Sequence, residues 1–133
     1  MKKVVLDTNI IISSAISAKG NPSAIMELVS VQAIHVYYND EILDEYKRVL
    51  AYERLKIEPN KQAEIIEKIK EVGISITPSA STVPLPDEND RIFYDTARDT
   101  EAILITGNIK HYPNEPFIMT PADYWHELIK SEA

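Results

Sequence analysis

The sequence predicts an α/β fold in which a central parallel sheet is covered by helices on both faces, giving three layers. Short apolar runs recur along the chain without polar alternation, which is typical of strands buried on both sides. Segments with helical spacing of apolar residues separate these runs, and this alternation of strands and helices favours a parallel sheet. The chain has 133 residues, the size of one ordinary domain, so we expect residues 1–133 to form a single domain.

The first part of the chain predicts one strand and two helices. Residues 3–6 form a short, partly β-branched apolar run that stops at a carboxylate, and we interpret them as a central strand. A helix follows over about 9–17. A Gly-Asn-Pro turn at 20–22 separates it from a second helix over about 23–31.

The middle of the chain predicts a strand followed by two helices. Residues 34–38 are strand-like, and Asn39 or Asp40 can cap the helix that follows. Apolar residues in that helix recur at helical spacing, at positions 42, 43, 46, 49 and 50. A further helix over about 60–72 ends at Gly73, which suits a C-terminal cap.

The last part of the chain alternates short strands with helices. We predict strands at 74–77, 102–106 and 117–119, and a helix at 87–101. Residues 78–86 are rich in Pro, Ser and Thr and form the clearest loop. The sequence Thr-Pro-Ala-Asp at 120–123 suits a helix start. In such folds ligands bind beyond the C-terminal ends of the strands.

The composition excludes several kinds of site. The chain has 21 acidic and 14 basic residues, a net charge of -7 and a pI near 4.9, which argues against a generally basic nucleic-acid-binding module. It has no cysteine, which removes disulfides, thiolate zinc sites and cysteine nucleophiles and fits a reducing cytoplasm. No stretch approaches the roughly 20 apolar residues of a membrane span. We therefore expect a cytoplasmic protein without a membrane partner.

Polar side chains close two of the predicted strands. Asp7, Thr8 and Asn9 follow the first strand, and Thr106 and Asn108 stand at the end of the fourth. Such positions are where a parallel sheet binds its ligands. The alternative for Asp7 and its neighbours is a helix cap, a role that Asp, Thr and Asn all fill.

Three further acids lie in predicted helices. On a helical wheel, Glu45 is the acid nearest the buried face of its helix, although a solvated position at the rim is the simpler interpretation. Asp87 and Asp90 open a later helix, where two acids three positions apart resemble a capping box. Asp90 also borders the apolar face of that helix, so it can face a site while Asp87 caps.

Electrostatics decides what these acids do if the fold brings Asp7, Glu45 and Asp90 together. Two carboxylates about 5 Å apart repel by roughly 3 kcal/mol at an effective dielectric constant of about 20. Such a cluster must either bind a proton or hold a cation. Oxygen ligands without cysteine and with little histidine select Mg²⁺ or Mn²⁺, and water on such an ion can attack a phosphodiester.

Four short motifs together resemble those of the PIN-domain family. They are Asp7-Thr8-Asn9, Glu45, the Asp87-x-x-Asp90 pair and Ile105-Thr106-Gly107-Asn108. The resemblance covers about residues 3 to 125 and is strongest to the small VapC-like toxins of toxin-antitoxin systems. It implies a strand order of 3-2-1-4-5, Mg²⁺- or Mn²⁺-dependent endoribonuclease activity on RNA, a homodimer, and inhibition by a small cognate antitoxin protein.

The resemblance also implies roles for individual residues. Asp7, Glu45 and Asp90 would be the catalytic, metal-binding acids, with Asp87 and the amide of Asn108 as further metal ligands. Thr8, Asn9 and Thr106 would orient these acids. The family usually has Asp at the position of Asn108, so we expect weaker binding of a second ion. The candidates for contacts with RNA phosphates are Arg91, Lys110 and His111.

Three other functions stay open. A catalytically inactive PIN-like module would bind RNA or a protein partner, and the uncharged Asn108 favours that alternative. A phosphatase of the haloacid dehalogenase class also begins with an aspartate after the first strand, but it needs a second aspartate where this chain has Asn9. A response-regulator receiver domain needs its phosphate-accepting aspartate at the end of the third strand, where Thr77 and Pro78 stand.

Overall fold

The structure, a computed structural model, describes residues 1–132 and contains five strands and six α-helices within that range. The strands are β1 (Lys3–Leu6), β2 (His35–Tyr38), β3 (Ile74–Ser75), β4 (Ile103–Ile105) and β5 (Ile118–Met119). The helices are α1 (Thr8–Ile16), α2 (Asn21–Ser30), α3 (Asp40–Leu50), α4 (Pro59–Val72), α5 (Arg91–Thr100) and α6 (Pro121–Glu132). Short 3₁₀ turns cover Glu53–Leu55, Glu88–Asp90 and Ile109–His111.

All five strands lie parallel in one sheet with the order β3-β2-β1-β4-β5. Both the parallel α/β architecture and the order implied by the PIN resemblance are confirmed. β1 is the central strand, and its residues Val4, Val5 and Leu6 are completely buried. This burial on both faces explains why the first strand is a continuous apolar run.

The helices pack on the sheet and on one another through the apolar positions that the sequence pattern identified. In α3, Ile42, Leu43, Tyr46 and Leu50 are buried. α5 contacts β1, β2 and β4, and α3 contacts α1, α4 and α5. The C-terminal ends of β1 and β4 therefore lie close to α3 and to the start of α5, the elements that carry the remaining candidate acids.

Several predicted boundaries differ from the observed ones. α2 begins at Asn21 rather than Ser23, because Pro22 occupies the first turn of a helix, where no amide hydrogen is needed. The expected helix over 87–101 is divided, with a 3₁₀ turn at Glu88–Asp90 before α5 begins. β3 has two residues instead of the four expected at 74–77.

Gly73 ends α4 as predicted, but not by the left-handed conformation that glycine usually supplies there. Its φ angle is -83°, which any residue can adopt. A Cβ atom at this position would lie 2.5 Å from the carbonyl oxygen of Ile69 and 2.9 Å from the ring of Tyr38. Glycine is required here because the chain turns tightly against its own helix and against β2.

None of the helices within residues 1–132 combines the length and the apolar character needed to cross a membrane.

Candidate active site

A cleft of about 370 Å³ opens where β1 and β4 end. Its walls come from the start of α1, the end of α3 with the turn that follows it, the turn before α5, and the turn after β4. The lining residues are Asp7, Thr8, Asn9, Ile12, Ser13, Val49, Arg54, Leu55, Asp90, Asn108 and His111. The ligand position expected for a parallel sheet is therefore a real cavity, and it collects residues from four separate parts of the chain.

Asp7 is held rigidly at the end of β1. Its carboxyl group is 6% exposed, and Oδ1 accepts a hydrogen bond from the amide of Thr8 at 2.7 Å, which caps α1. Oδ2 accepts hydrogen bonds from the hydroxyl of Thr106 at 2.8 Å and from that of Tyr112 at 3.0 Å. Asp7 thus fills the helix-cap role and still faces the cleft, so the two interpretations of this residue are compatible.

Thr106 connects the turn after β4 to Asp7. Its hydroxyl donates to Asp7 and accepts from the amide of Asn108 at 2.9 Å and from Nδ2 of Asn9 at 3.4 Å. Asn9 in turn accepts from the amide of Gly107 at 2.8 Å through Oδ1. These bonds join the ends of β1 and β4, which explains how residues about 100 positions apart in sequence hold one carboxylate in place.

Glu45 lies on α3 at the border of the protein interior, and its side chain is 21% exposed. One of its carboxylate oxygens, Oε2, accepts a hydrogen bond from the hydroxyl of Thr8, and Oε1 lies 3.7 Å from Nη2 of Arg48. The neighbouring Tyr46 donates its hydroxyl to the carbonyl of Leu6 and thereby fixes α3 to the end of β1. Burial raises the pKa of Glu45, and the charges of two nearby aspartates add to this effect.

Asp87 and Asp90 behave differently although they belong to one motif. Asp87 is exposed and accepts a hydrogen bond from the amide of Asn89 at 2.9 Å, as a cap does. Asp90 stands just before α5 but makes no capping hydrogen bond. Its side chain is 16% exposed, and its Oδ2 atom is buried without a hydrogen-bond partner. The capping-box interpretation therefore holds for Asp87 and fails for Asp90.

The electrostatic environment of Asp90 is unfavourable for a carboxylate. Burial raises its pKa to about 6, and the charges of Asp7, Asp87 and Glu45 contribute in the same direction. His111, whose Nδ1 lies 3.8 Å from Oδ2 of Asp90, opposes the shift. Negative charge thus accumulates at this end of the cleft with little compensation from the chain.

The unpartnered oxygen of Asp90 and the shared negative charge fit a divalent cation that prefers oxygen ligands. The acidic side chains do not converge on one point, however: among the side chains described, those of residues 1–131, no three His, Cys, Asp or Glu are placed close enough to hold one metal ion. The contacts explain this spacing, because Thr8 engages Glu45 while Thr106 and Tyr112 engage Asp7.

The three cations predicted to contact a substrate are separated in the structure. His111 lines the cleft, but Lys110 lines a different depression of about 240 Å³ formed by the turn 109–115. Arg91 hydrogen-bonds to Glu88 and to the loop at Ser81 and Val83 through all three of its guanidinium nitrogens. The structure therefore places Arg91 and Lys110 outside the cleft and gives Arg91 a role in holding the loop.

Sequence reasoning missed two polar residues of this region. Tyr112 is buried and donates to Asp7, and the adjacent carboxylates and burial raise the pKa of its hydroxyl far above the usual range. Arg54 lies in the cleft wall, on the 3₁₀ turn after α3. No periodicity or motif marks either residue, because each acquires its position only through the path of a turn.

Comparisons with known proteins agree with this geometry. A model of the PIN domain matches residues 3–110. The chain is 31% identical over 109 residues to the uncharacterized protein MJ1680 of Methanocaldococcus jannaschii, covering 80% of this chain and 70% of that protein. Its fold is similar to a chain of the crystal structure of VapBC2 from Rickettsia felis bound to a DNA fragment from their promoter. That match has a TM-score of 0.57 and 16% identity and covers 89% of this chain and 96% of the other.

Proposed function

This chain belongs to the PIN-domain family, and on that premise we propose that it is a ribonuclease that hydrolyses RNA phosphodiester bonds with Mg²⁺ or Mn²⁺. PIN domains are generally nucleases, and those nucleases generally use divalent metal ions. Beyond these family properties, we propose that the substrate is RNA and that the ion is Mg²⁺ or Mn²⁺.

The observation that carries the proposal is the buried, unpartnered oxygen of Asp90 beside other carboxylates. An unpaired carboxylate oxygen in a partly buried site is costly unless a proton or a cation satisfies it. Asp7 lines the same cleft, and the charges of Asp7, Glu45 and Asp87 all act on Asp90. A divalent cation would offset this accumulated charge, which supports metal-dependent chemistry at this position.

In the proposed mechanism, Asp7, Glu45 and Asp90 would hold the ion, with Asp87 and the amide oxygen of Asn108 as additional ligands. When bound, such an ion would supply a water of lowered pKa and positive charge beside the phosphate. Thr106 and Tyr112 fix the orientation of Asp7 by donating to Oδ2, and Thr8 holds Glu45. Rigid placement matters because small displacements of reacting groups reduce rates strongly.

Asn108 favours a second candidate function. Its amide carries no charge, so the site offers one carboxylate fewer than the usual PIN pattern and would hold a second ion weakly. A chain that has lost catalysis would keep the same cleft as a binding site for RNA or for a protein. The two candidates differ in one result, because only the nuclease converts RNA to shorter products.

We also propose that the chain acts as the toxin of a toxin-antitoxin pair in the cytoplasm, as a homodimer that a small antitoxin protein inhibits. This part rests on the fold similarity to VapBC2. Co-expression with the protein encoded by an adjacent reading frame tests it. Co-purification and suppression of ribonuclease activity are expected, whereas unaltered activity in the presence of that protein contradicts it.

The cleavage experiment tests the proposed activity directly. Purified protein is incubated with structured RNAs in Mg²⁺, in Mn²⁺ and with a chelator. We expect cleavage that requires metal and is lost in Asp7→Asn and Asp90→Asn. The exposed Asp44→Asn on α3 is the matched control, since it removes the same charge outside the cleft lining. Absence of cleavage by the wild-type protein, or cleavage by Asp90→Asn at the wild-type rate, would refute the nuclease proposal.

A further inference from the structure

An acidic nuclease needs local positive charge to bind a polyanion, and the cleft offers little of it. The chain carries a net charge of -7, and both Asp7 and Asp90 line the cleft. Among the residues that line the cleft, Arg54 is the sole lysine or arginine. His111 is the other basic side chain there, and Asp90 faces it at 3.8 Å.

The other arginines are occupied by contacts within the chain. Arg91 and Arg98 hold the loop before α5 through hydrogen bonds to its backbone. Arg48 lies 3.7 Å from Glu45 and donates to Tyr52. Arg54, in contrast, is exposed, and among the side chains of residues 1–131 no carboxylate lies in ion-pairing range of its guanidinium.

A series of side-chain contacts connects Arg54 to Glu45. The guanidinium carbon of Arg54 lies 5.2 Å from the centre of the Tyr52 ring, within the range of a cation-π contact. The hydroxyl of Tyr52 accepts a hydrogen bond from Arg48 at 2.8 Å. Arg48 in turn pairs with Glu45. The guanidinium of Arg54 is thus connected through the side chains of Tyr52 and Arg48 to Glu45, a proposed catalytic acid.

Apolar side chains also line the cleft. Ile12, Val49 and Leu55 line it together with Arg54. An apolar surface beside an arginine matches the two faces of a nucleotide, because the base offers a flat apolar surface and the phosphate a bidentate partner for guanidinium. A lysine at position 54 would lack the bidentate contact to phosphate, and a carboxylate there would repel the phosphate.

We propose that these four residues of the cleft lining form a nucleotide-binding subsite, in which Arg54 binds a phosphate of the RNA strand while Ile12, Val49 and Leu55 contact the neighbouring nucleoside. The inference rests on the proposed ribonuclease function, because it assumes that RNA enters the cleft. It assigns substrate binding to Arg54 in place of Arg91 and Lys110, which lie outside the cleft.

The test measures RNA binding separately from cleavage. The Asp90→Asn protein, in Mn²⁺, is titrated against a fluorescein-labelled single-stranded RNA of randomised sequence, and anisotropy is recorded over a series of NaCl concentrations. Arg54→Gln, Arg54→Lys and Lys56→Gln are each introduced into this background. Lys56 is the matched control, because it is exposed, lies two residues away and does not line the cleft.

Arg54→Gln should weaken binding about tenfold, since a charged hydrogen bond to phosphate is lost. It should also reduce the slope of log K against log salt by about 0.7, the value for one contact to single-stranded nucleic acid. Arg54→Lys should retain the slope but lose part of the affinity, because the ammonium lacks the planar fork. Lys56→Gln should leave both quantities close to those of the Asp90→Asn protein.

The subsite is rejected if Arg54→Gln binds RNA as Lys56→Gln does, or if neither the Asp90→Asn protein nor the wild-type protein binds RNA. In the cleaving protein, Arg54→Gln should raise KM with little change in kcat, because Arg54 contacts substrate away from the reacting bond. The two proposals fail separately. RNA binding that depends on Arg54, without cleavage by the wild-type protein in either metal, refutes the nuclease and keeps the subsite.

Discussion

Replacing Asp90 with asparagine should make the metal-free protein more stable, although most substitutions at half-buried positions destabilise. The reason is that the native structure opposes the ionised form of this side chain. Burial and the neighbouring carboxylates raise the pKa of Asp90 from 3.8 to about 6. Asparagine keeps the size of the side chain and removes the charge.

The size of the effect follows from that pKa. A rise of about two pKa units corresponds to about 3 kcal/mol against the ionised carboxylate at neutral pH. Asparagine must also be partly desolvated, so we expect a gain of roughly 1–3 kcal/mol. For a domain of this size, about 1 kcal/mol moves Tm by roughly 4 °C, which gives a rise of about 4–12 °C.

The pH dependence has a definite sign. The native state binds the Asp90 proton more tightly than the unfolded chain, so the electrostatic penalty is fully present above the native pKa of about 6. It disappears as the pH falls towards 3.8, the ordinary value. The difference in Tm between Asp90→Asn and the wild-type protein should therefore shrink when the pH is lowered through this range.

Differential scanning fluorimetry without and with Mn²⁺ measures both parts of the prediction. Mn²⁺ at about 100 times its Kd should stabilise the wild-type protein by about 2.7 kcal/mol, and Asp90→Asn should lose most of this gain. The exposed Asp44→Asn should change Tm little in either condition. A marked fall in the metal-free Tm of Asp90→Asn would show that the carboxylate stabilises the start of α5, and would refute the electrostatic reasoning.

Three further outcomes are expected. Tyr112→Phe removes one of the two hydroxyl groups that donate to Asp7, so it should weaken Mn²⁺ binding about three- to tenfold and cause a small loss of stability. Isothermal titration calorimetry measures the affinity, and an unchanged value contradicts a positioning role for Tyr112. Gly73→Ala should destabilise by roughly 2 kcal/mol or more in urea, because the new Cβ would lie 2.5 Å from the carbonyl oxygen of Ile69; a neutral result would mean that the turn relaxes. Hydrogen bonds from a neighbouring arginine and from the preceding loop lower the pKa of Asp99 to about 2. The wild-type protein should therefore lose its stability advantage over Asp99→Asn as the pH falls from about 4 to about 2. A constant difference in stability over that range contradicts this prediction.

The fold was largely predictable because its signals are local. Continuous apolar runs identify the buried parallel strands, and Val4, Val5 and Leu6 of the central strand are buried as their composition requires. The start of α5 was not predictable from the same signals. The carboxylate of Asp87 binds the amide of Asn89 and holds one 3₁₀ turn, a choice that depends on where Asp90 must point.

The positions of the candidate acids were predictable from strand ends and helix faces, whereas their hydrogen-bond donors were not. The apolar run of the first strand is enough to place Asp7 at a strand end. Tyr112 reaches Asp7 only through the turn after β4. Arg91 was expected near substrate because it follows Asp90 in sequence. The loop at 78–86 passes beside it and takes up its guanidinium, and the path of that loop is not encoded in a local pattern.

The bonds from Thr106 and Tyr112 to Asp7 span 99 and 105 residues of the chain. Such distant contacts form late in folding, because the intervening chain must first be ordered. A fragment that stops at residue 100 contains all of the candidate carboxylates but neither hydroxyl that fixes Asp7, and it lacks β4, the partner of β1. For the proposed ribonuclease, this order of assembly would delay hydrolysis until the chain has folded, so that incomplete products of translation or proteolysis would not cleave RNA.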